Sequence, residues 1–157
     1  MRLGNARRGG VLSGAVAALA SIGFGAAQLA TGAAFAQDQA VAPGISLELN
    51  RVEDQGTACR VYFVLDNATA DAFESFKLDL VAFGRDGVIL RNVATEMGPL
   101  RPSKKIVKRF DLADLPCAGL GAILVNDVLD CRSGEAARTD CVDLLTVTSR
   151  AEVELAK

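Results

Sequence analysis

The sequence predicts an all-β fold, because apolar and polar residues alternate along most of the chain after residue 44. Turn residues recur roughly every ten positions, and no stretch shows a convincing helical period. The alternation is clearest from Cys59 to Asn67, where one apolar face and one mostly polar face are expected of a half-buried strand. About seven short strands of this kind predict a single antiparallel β-sandwich with immunoglobulin-like strand order.

The first 36 residues differ in composition from the rest of the chain. An uncharged run rich in Ala and Gly, residues 11–36, follows three arginines: Arg2, Arg7 and Arg8. The run ends in Ala34-Phe35-Ala36, which predicts a signal peptide cleaved after Ala36. The run is also long enough for a retained membrane anchor. Its glycines make it weakly apolar for that role, so we expect no stable membrane span after cleavage.

The export route stays open between two alternatives. Arg7-Arg8 followed by Val11-Leu12 resembles a twin-arginine (Tat) export signal. Gly9-Gly10 occupies the place where that motif usually has a bulky apolar residue. Either the Tat or the Sec pathway would deliver the protein to the bacterial periplasm, which is the expected location.

The remaining chain predicts one domain, because about 120 residues are enough to bury a single hydrophobic core. We expect a flexible leader at 37–44, the sandwich at 45–150 and a tail at 151–157. The last segment either extends the closing strand or frays. The predicted strands are 45–52 with a bulge, 59–67, 76–83, 88–96 after an Asp86-Gly87 hairpin turn, 104–112, 121–128 and 142–149.

Four cysteines follow the predicted cleavage site: Cys59, Cys117, Cys131 and Cys141. An even number in an oxidising compartment predicts two disulfides, for which three pairings exist. We favour Cys131 with Cys141, which would close a short loop. We also favour Cys59 with Cys117, because the second and sixth strands of such a Greek key would bring these two cysteines together.

Charge and composition exclude several functions. The chain after residue 36 has 14 basic and 19 acidic residues, a net charge of −5, which disfavours nucleic-acid binding. The sequence contains no histidine and no Cys-x-x-Cys motif. These absences argue against Ser-His-Asp or Cys-His catalysis and against common zinc and redox sites. We therefore expect a protein that is not an enzyme, with no cofactor and no metal.

One basic group is conspicuous in this acidic chain: Arg101, Lys104, Lys105, Lys108 and Arg109. Lysines on a border strand discourage sheet-to-sheet pairing, which explains the group without a ligand. As a functional site, it would bind an acidic partner, an anionic lipid headgroup, a polymer or a small anion.

A second charged group consists of acidic residues that a Cys131–Cys141 bridge would gather at one end of the sandwich: Asp127, Asp130, Asp140 and Asp143. Such oxygens could hold calcium. The spacing matches no fixed ligand pattern, so we favour ordinary solvated loop carboxylates.

The spacing Cys59-x-Val61-x-Phe63-x-Leu65-x-Asn67, together with the later Gly98-Pro99-Leu100, Phe110-Asp111-Leu112 and Cys117, resembles a group of small exported proteins. These are uncharacterised alphaproteobacterial proteins labelled as Tat-pathway signal proteins. The resemblance implies an envelope protein that works beside energy-transducing complexes of the TonB and ExbB/ExbD type. It transfers no functional residue to this chain. We expect a non-enzymatic module that binds an envelope protein, or alternatively one that binds an anion through the 101–109 strip.

Overall fold

The computed structural model describes residues 43–157. The predicted signal peptide and most of the leader lie outside the described residues. The described part contains nine strands, a short helix and a single 3-10 turn. The strands are β1 (Ile45–Asp54), β2 (Cys59–Asn67), β3 (Ser75–Gly84), β4 (Ile89–Glu96), β5 (Lys104–Leu112), β6 (Leu120–Ser133), β7 (Ala136–Ala137), β8 (Leu145–Ser149) and β9 (Glu154–Ala156). The 3-10 turn is Cys117–Gly119 and the helix, α1, is Cys141–Leu144.

The strands form a two-sheet sandwich, which confirms the predicted fold class. The first sheet has the order β5-β2-β1-β8, and the second has the order β4-β3-β6, with β7 and β9 both paired to β6. The second and sixth strands lie in facing sheets, as expected. The sandwich is not purely antiparallel, because β8 pairs with β1 in parallel and β9 pairs with β6 in parallel. Within 43–157, no helix is both long enough and apolar enough to cross a membrane.

Strand boundaries follow the alternation where it is strong. β2 and β5 begin and end at the predicted residues, and the predicted bulge in β1 lies between Leu49 and Arg51. The hairpin after β3 turns at Gly87, whose φ of +79° suits glycine. Where bulges interrupt the alternation, β6 runs longer than predicted. The segment 151–157, expected as a tail, instead contains β9 and buries Val153 and Leu155.

The core lies between the two sheets and uses the inward faces of the central strands. Val61, Phe63 and Leu65 of β2 are fully buried, as are Phe76 and Leu78 of β3. Phe63 also stacks on Phe110 of β5, with ring centroids 5.7 Å apart. Burial of the alternate residues explains why the period-two pattern marks these strands so clearly.

Two disulfides join Cys59 to Cys117 and Cys131 to Cys141, which confirms both favoured pairings. The first connects the start of β2 to the turn that precedes β6, so it links the two sheets. The second closes the loop around β7. Paired cysteines are consistent with an oxidising compartment outside the cytoplasm.

The loop between β2 and β3 is organised by Asn67, whose side chain is fully buried. Its Nδ2 donates to the carbonyl oxygens of Asp71, at 2.8 Å, and Arg101, at 3.1 Å. Its Oδ1 accepts from the backbone N–H of Thr69 and from the Thr69 hydroxyl. One amide thus fixes both the end of β2 and the approach to β5.

Close backbone contact at the start of β6 gives a first prediction. A Cβ at Gly121 would lie 2.7 Å from the carbonyl oxygen of Gly84 and 2.8 Å from the Cα of Arg85. Because both obstacles are backbone atoms, Gly121→Ala must separate β3 from β6 and should cost about 1–3 kcal/mol of unfolding free energy. Urea unfolding measures this cost. Gly119→Ala is the matched control, since no atom lies within 4 Å of its Cβ; similar unfolding midpoints for the two variants would contradict the packing argument.

Candidate functional site

The predicted basic group lies on and just before β5, an edge strand of the first sheet. Within 43–157, β5 pairs only with β2, so one row of its backbone N–H and C=O groups has no strand partner. This placement agrees with edge protection by lysine. It also leaves the cations accessible, so position alone does not separate protection from binding.

The structure divides this group between two faces. Lys105, Val107 and Arg109 share the outer face, whereas Ile106, Lys108 and Phe110 face the core side and are only partly exposed. The Lys108 ammonium donates to the carbonyl oxygen of Gly98 at 2.6 Å. Lys108 therefore anchors the loop before β5 and does not belong to an outward binding surface.

The other cations differ in their partners. Lys105 lies 3.3 Å from the Asp66 carboxylate, but its side chain is 64% exposed, so the pair contributes little stability. Arg101, Lys104 and Arg109 are exposed and form no ion pair with any residue of 43–157. These three, together with Lys105, are the available positive charges of this edge.

A bidentate ion pair holds β5 to β2 on the outer face. Arg60 donates from Nε to one Asp111 oxygen at 2.7 Å and from Nη2 to the other at 3.0 Å. The hydrogen bonds from Arg60 keep the pKa of Asp111 below its usual value. Asp111 is thus engaged by Arg60 and leaves the remaining cations of β5 free for other ligands.

An exposed apolar run lies on the same side of the sandwich. Val88, Ile89 and Leu90 are 58%, 59% and 43% exposed at the start of β4, the edge strand of the second sheet. Two contacts join each edge strand to the loop that follows the other: Lys108 of β5 donates to Gly98, and Arg91 of β4 lies 3.7 Å from Asp114. This side therefore combines apolar residues on β4 with positive charge on β5. The sequence did not reveal the run, because three consecutive apolar residues also fit a buried strand.

The acidic residues do not form one site. Asp130 accepts from Arg132 at 3.2 Å, and Asp140 accepts twice from Arg138, at 2.9 and 2.6 Å. Hydrogen bonding from Arg138 lowers the pKa of Asp140. In the part of the chain that the structure describes, no three His, Cys, Asp or Glu residues are placed to hold a metal.

The loop closed by the second disulfide is tied to the β2–β3 loop. Arg138 donates to Asp71 at 2.5 Å, and its guanidinium lies 5.4 Å from the ring centroid of Phe73. Arg138 therefore pairs with Asp140 of its own loop and with Asp71 of the β2–β3 loop. This pairing leaves the β4 and β5 edges as the stronger candidate surface.

An open groove of about 470 Å³ lies beside the start of β1 and is lined in part by Asp66, Asp143 and Thr146. Asp66 of this groove also forms the ion pair with Lys105. The lining provides no histidine or thiol that could act as a nucleophile or base alongside the carboxylates.

Comparisons with known proteins inform the fold. No protein-family model matches the chain, and no curated protein matches it. A solved structure, described as the structural characterization of IrmA from Escherichia coli, superposes with a TM-score of 0.54 at 12% sequence identity. The match covers 68% of this chain and 92% of that chain. At this identity the likeness concerns the fold alone, and the chain is similar to IrmA as a β-sandwich.

Proposed function

We propose that the protein is an exported, non-enzymatic β-sandwich of the bacterial periplasm that binds another envelope protein through its exposed edge strands. The observation that carries the proposal is the exposed run Val88–Leu90, which begins one residue before β4 and continues into it. Contiguous exposed apolar residues are costly in water and commonly mark interaction surfaces.

Export is supported by two independent features. The arginine-led, uncharged segment before Ala34-Phe35-Ala36 has the composition of a signal peptide. The two disulfides suit an oxidising compartment. The resemblance to small exported Tat-labelled proteins adds TonB and ExbB/ExbD-type complexes to the partners that we propose to test.

The direct experiment is chemical cross-linking of the tagged protein in its native envelope, followed by non-reducing purification and mass spectrometry. The proposal expects a reproducible protein adduct that is absent when an unrelated exported domain carries the same tag. Recovery of the monomer alone, with export and both disulfides verified, would contradict it. The mass of the amino terminus in the same sample would show whether cleavage follows Ala36.

A second candidate function is binding of an anionic lipid, polymer or small anion through the 101–109 strip. The exposed and unpaired Arg101, Lys104 and Arg109 favour it. Binding driven by this strip should weaken steeply as ionic strength rises. The informative variant is Lys104→Gln with Arg109→Gln, because changing Lys108 would disturb its bond to Gly98. Unchanged binding to anionic vesicles by this variant would exclude the strip as the ligand site.

A further inference from the structure

We propose that the side of the sandwich formed by β4 and β5 accepts an extended acidic segment of a partner protein, which adds a strand to β4. This inference rests on the proposed function and names the surface and the chemistry of the partner. Strand addition to a free sheet edge supplies backbone hydrogen bonds for affinity and alternate side chains for specificity.

β4 lacks most of the usual protection of an edge strand, because a bulge at Leu90 is not accompanied by lysine, proline or short length. It contains no proline and no lysine between Ile89 and Glu96. The Glu96 carboxylate is turned back into its own sheet, where it accepts from the N–H groups of Phe76 at 2.8 Å and Gly98 at 2.7 Å. Arg91 is directed towards Asp114. The strand thus presents a nearly uncharged edge that begins with exposed apolar residues.

The other strand edges in 43–157 are protected in ordinary ways. β5 has lysines along its length, and β7, β8 and β9 have only two, five and three residues. Short length and charge are the devices that prevent unwanted edge pairing. β4, with eight residues, is the edge on which neither device operates.

The positive charge of β5 determines the sign of the charge expected on the partner segment. A strand added beside β4 would turn alternate side chains towards the first sheet, whose edge has Lys104 on its inward face and Lys105 and Arg109 on its outward face. Acidic side chains would face Lys104 and would lie within the positive field of Lys105 and Arg109 at the same edge. Side chains on the other face would continue the apolar surface of Ile89 and its cross-strand neighbour Phe83. The expected segment therefore alternates acidic with apolar or β-branched residues.

The same charges argue against a second copy of this chain as the occupant. Two copies paired through β4 would share a two-fold axis, and their β5 strands would lie on the same side of the combined sheet. The basic edges would then face each other and repel. An acidic partner instead neutralises them.

The test uses the exported, oxidised protein and a capped peptide of about ten residues, a typical strand length, in which Glu alternates with Val or Thr. One comparison peptide has Lys in place of each Glu, and another has a central proline that blocks strand pairing. Fluorescence anisotropy measures affinity, and amide hydrogen exchange locates the peptide. We expect the Glu peptide to bind and to protect the β4 amides from hydrogen exchange. Its affinity should fall as the salt concentration rises. The Lys and proline peptides should bind at least about tenfold more weakly.

Matched variants test the surface. Ile89→Asp should lower the affinity for the Glu peptide at least about tenfold. Lys104→Gln combined with Arg109→Gln should lower it by a similar factor. Leu129→Asp is the control for the first, because Leu129 is 51% exposed and lies on β6. Arg132→Gln combined with Arg150→Gln is the control for the second, because these exposed cations lie on neither β4 nor β5 and pair only with surface carboxylates. Thermal unfolding confirms that each variant remains folded.

Three results would overturn the proposal: no binding of the Glu peptide to folded protein, equal binding of the Lys peptide, or equal losses for Ile89→Asp and Leu129→Asp. Anionic-vesicle binding that is insensitive to Ile89→Asp, without peptide binding, would also overturn it in favour of a lipid ligand. Envelope cross-linking separates this inference from the proposed function. A partner cross-linked away from β4 would leave the binding of an envelope protein standing and would refute this inference. Peptide binding at β4 without any envelope partner would support the surface and would contradict the proposed function.

Discussion

Replacing both Cys59 and Cys117 with Ala is expected to lower the free energy of unfolding by about 4 kcal/mol. The bond spans 58 residues of sequence, so its loss frees a long loop in the unfolded chain. Cys59 is also fully buried, and truncation of the pair leaves poorer packing between the sheets. Since small domains have only about 5–15 kcal/mol of stability, this variant should lose a large share of the total.

Non-reducing urea unfolding measures this effect. The comparison is Cys131→Ala with Cys141→Ala, which opens a loop of separation 10 and should cost about 3 kcal/mol. A loss below about 1 kcal/mol for the Cys59–Cys117 variant would show that the bond does not constrain the unfolded chain as the entropy model requires.

Asn67→Asp is expected to destabilise the protein by at least about 3 kcal/mol at neutral pH. The substitution keeps the size of the side chain, but it replaces the Nδ2 donor with a carboxylate oxygen facing the carbonyl oxygens of Asp71 and Arg101. The Thr69 donors still serve one oxygen, but the other has no donor and faces two carbonyl oxygens in a buried site. The folded protein should therefore raise the pKa of the introduced carboxyl above its unfolded value. Stability is then retained below pH of about 4 and is lost as pH rises.

The measurement is urea unfolding of the Asn67→Asp variant between acidic and neutral pH, relative to the unaltered protein at each pH. Asn92→Asp, on the exposed face of β4, is the control and should change stability by no more than about 0.5 kcal/mol. A difference between Asn67→Asp and the unaltered protein that does not grow with pH would contradict the proposed hydrogen-bond network.

The sandwich could be predicted because its central strands bury one face and expose the other. In β2 and β5 this requirement extends over the whole strand, so the alternation determined both ends. The Cys59–Cys117 pairing followed from strand order, and the Cys131–Cys141 pairing followed from the short loop that it closes. Even the inward orientation of Lys108 was present in the sequence, since it lies at even spacing between Ile106 and Phe110, both of which face the core side.

Other features could not be predicted because their signals are weak or ambiguous. α1 has four residues, too few to show a helical period. β9 has three residues and is held by its parallel pairing to β6, a contact between segments that local sequence does not encode. Val88–Leu90 has the composition of a core strand, and only the strand order shows that nothing in 43–157 covers it.

The most direct test of the central claim is site-specific photo-cross-linking of the exported protein in its native envelope. A photoreactive residue at position 89 is compared with one at position 129, which is similarly exposed but lies on β6. The proposed surface predicts a protein adduct from position 89 that the Glu peptide competes away, and none from position 129. An adduct from position 129 alone, or equal adducts from both positions, would show that the partner does not bind at the β4–β5 side of the sandwich.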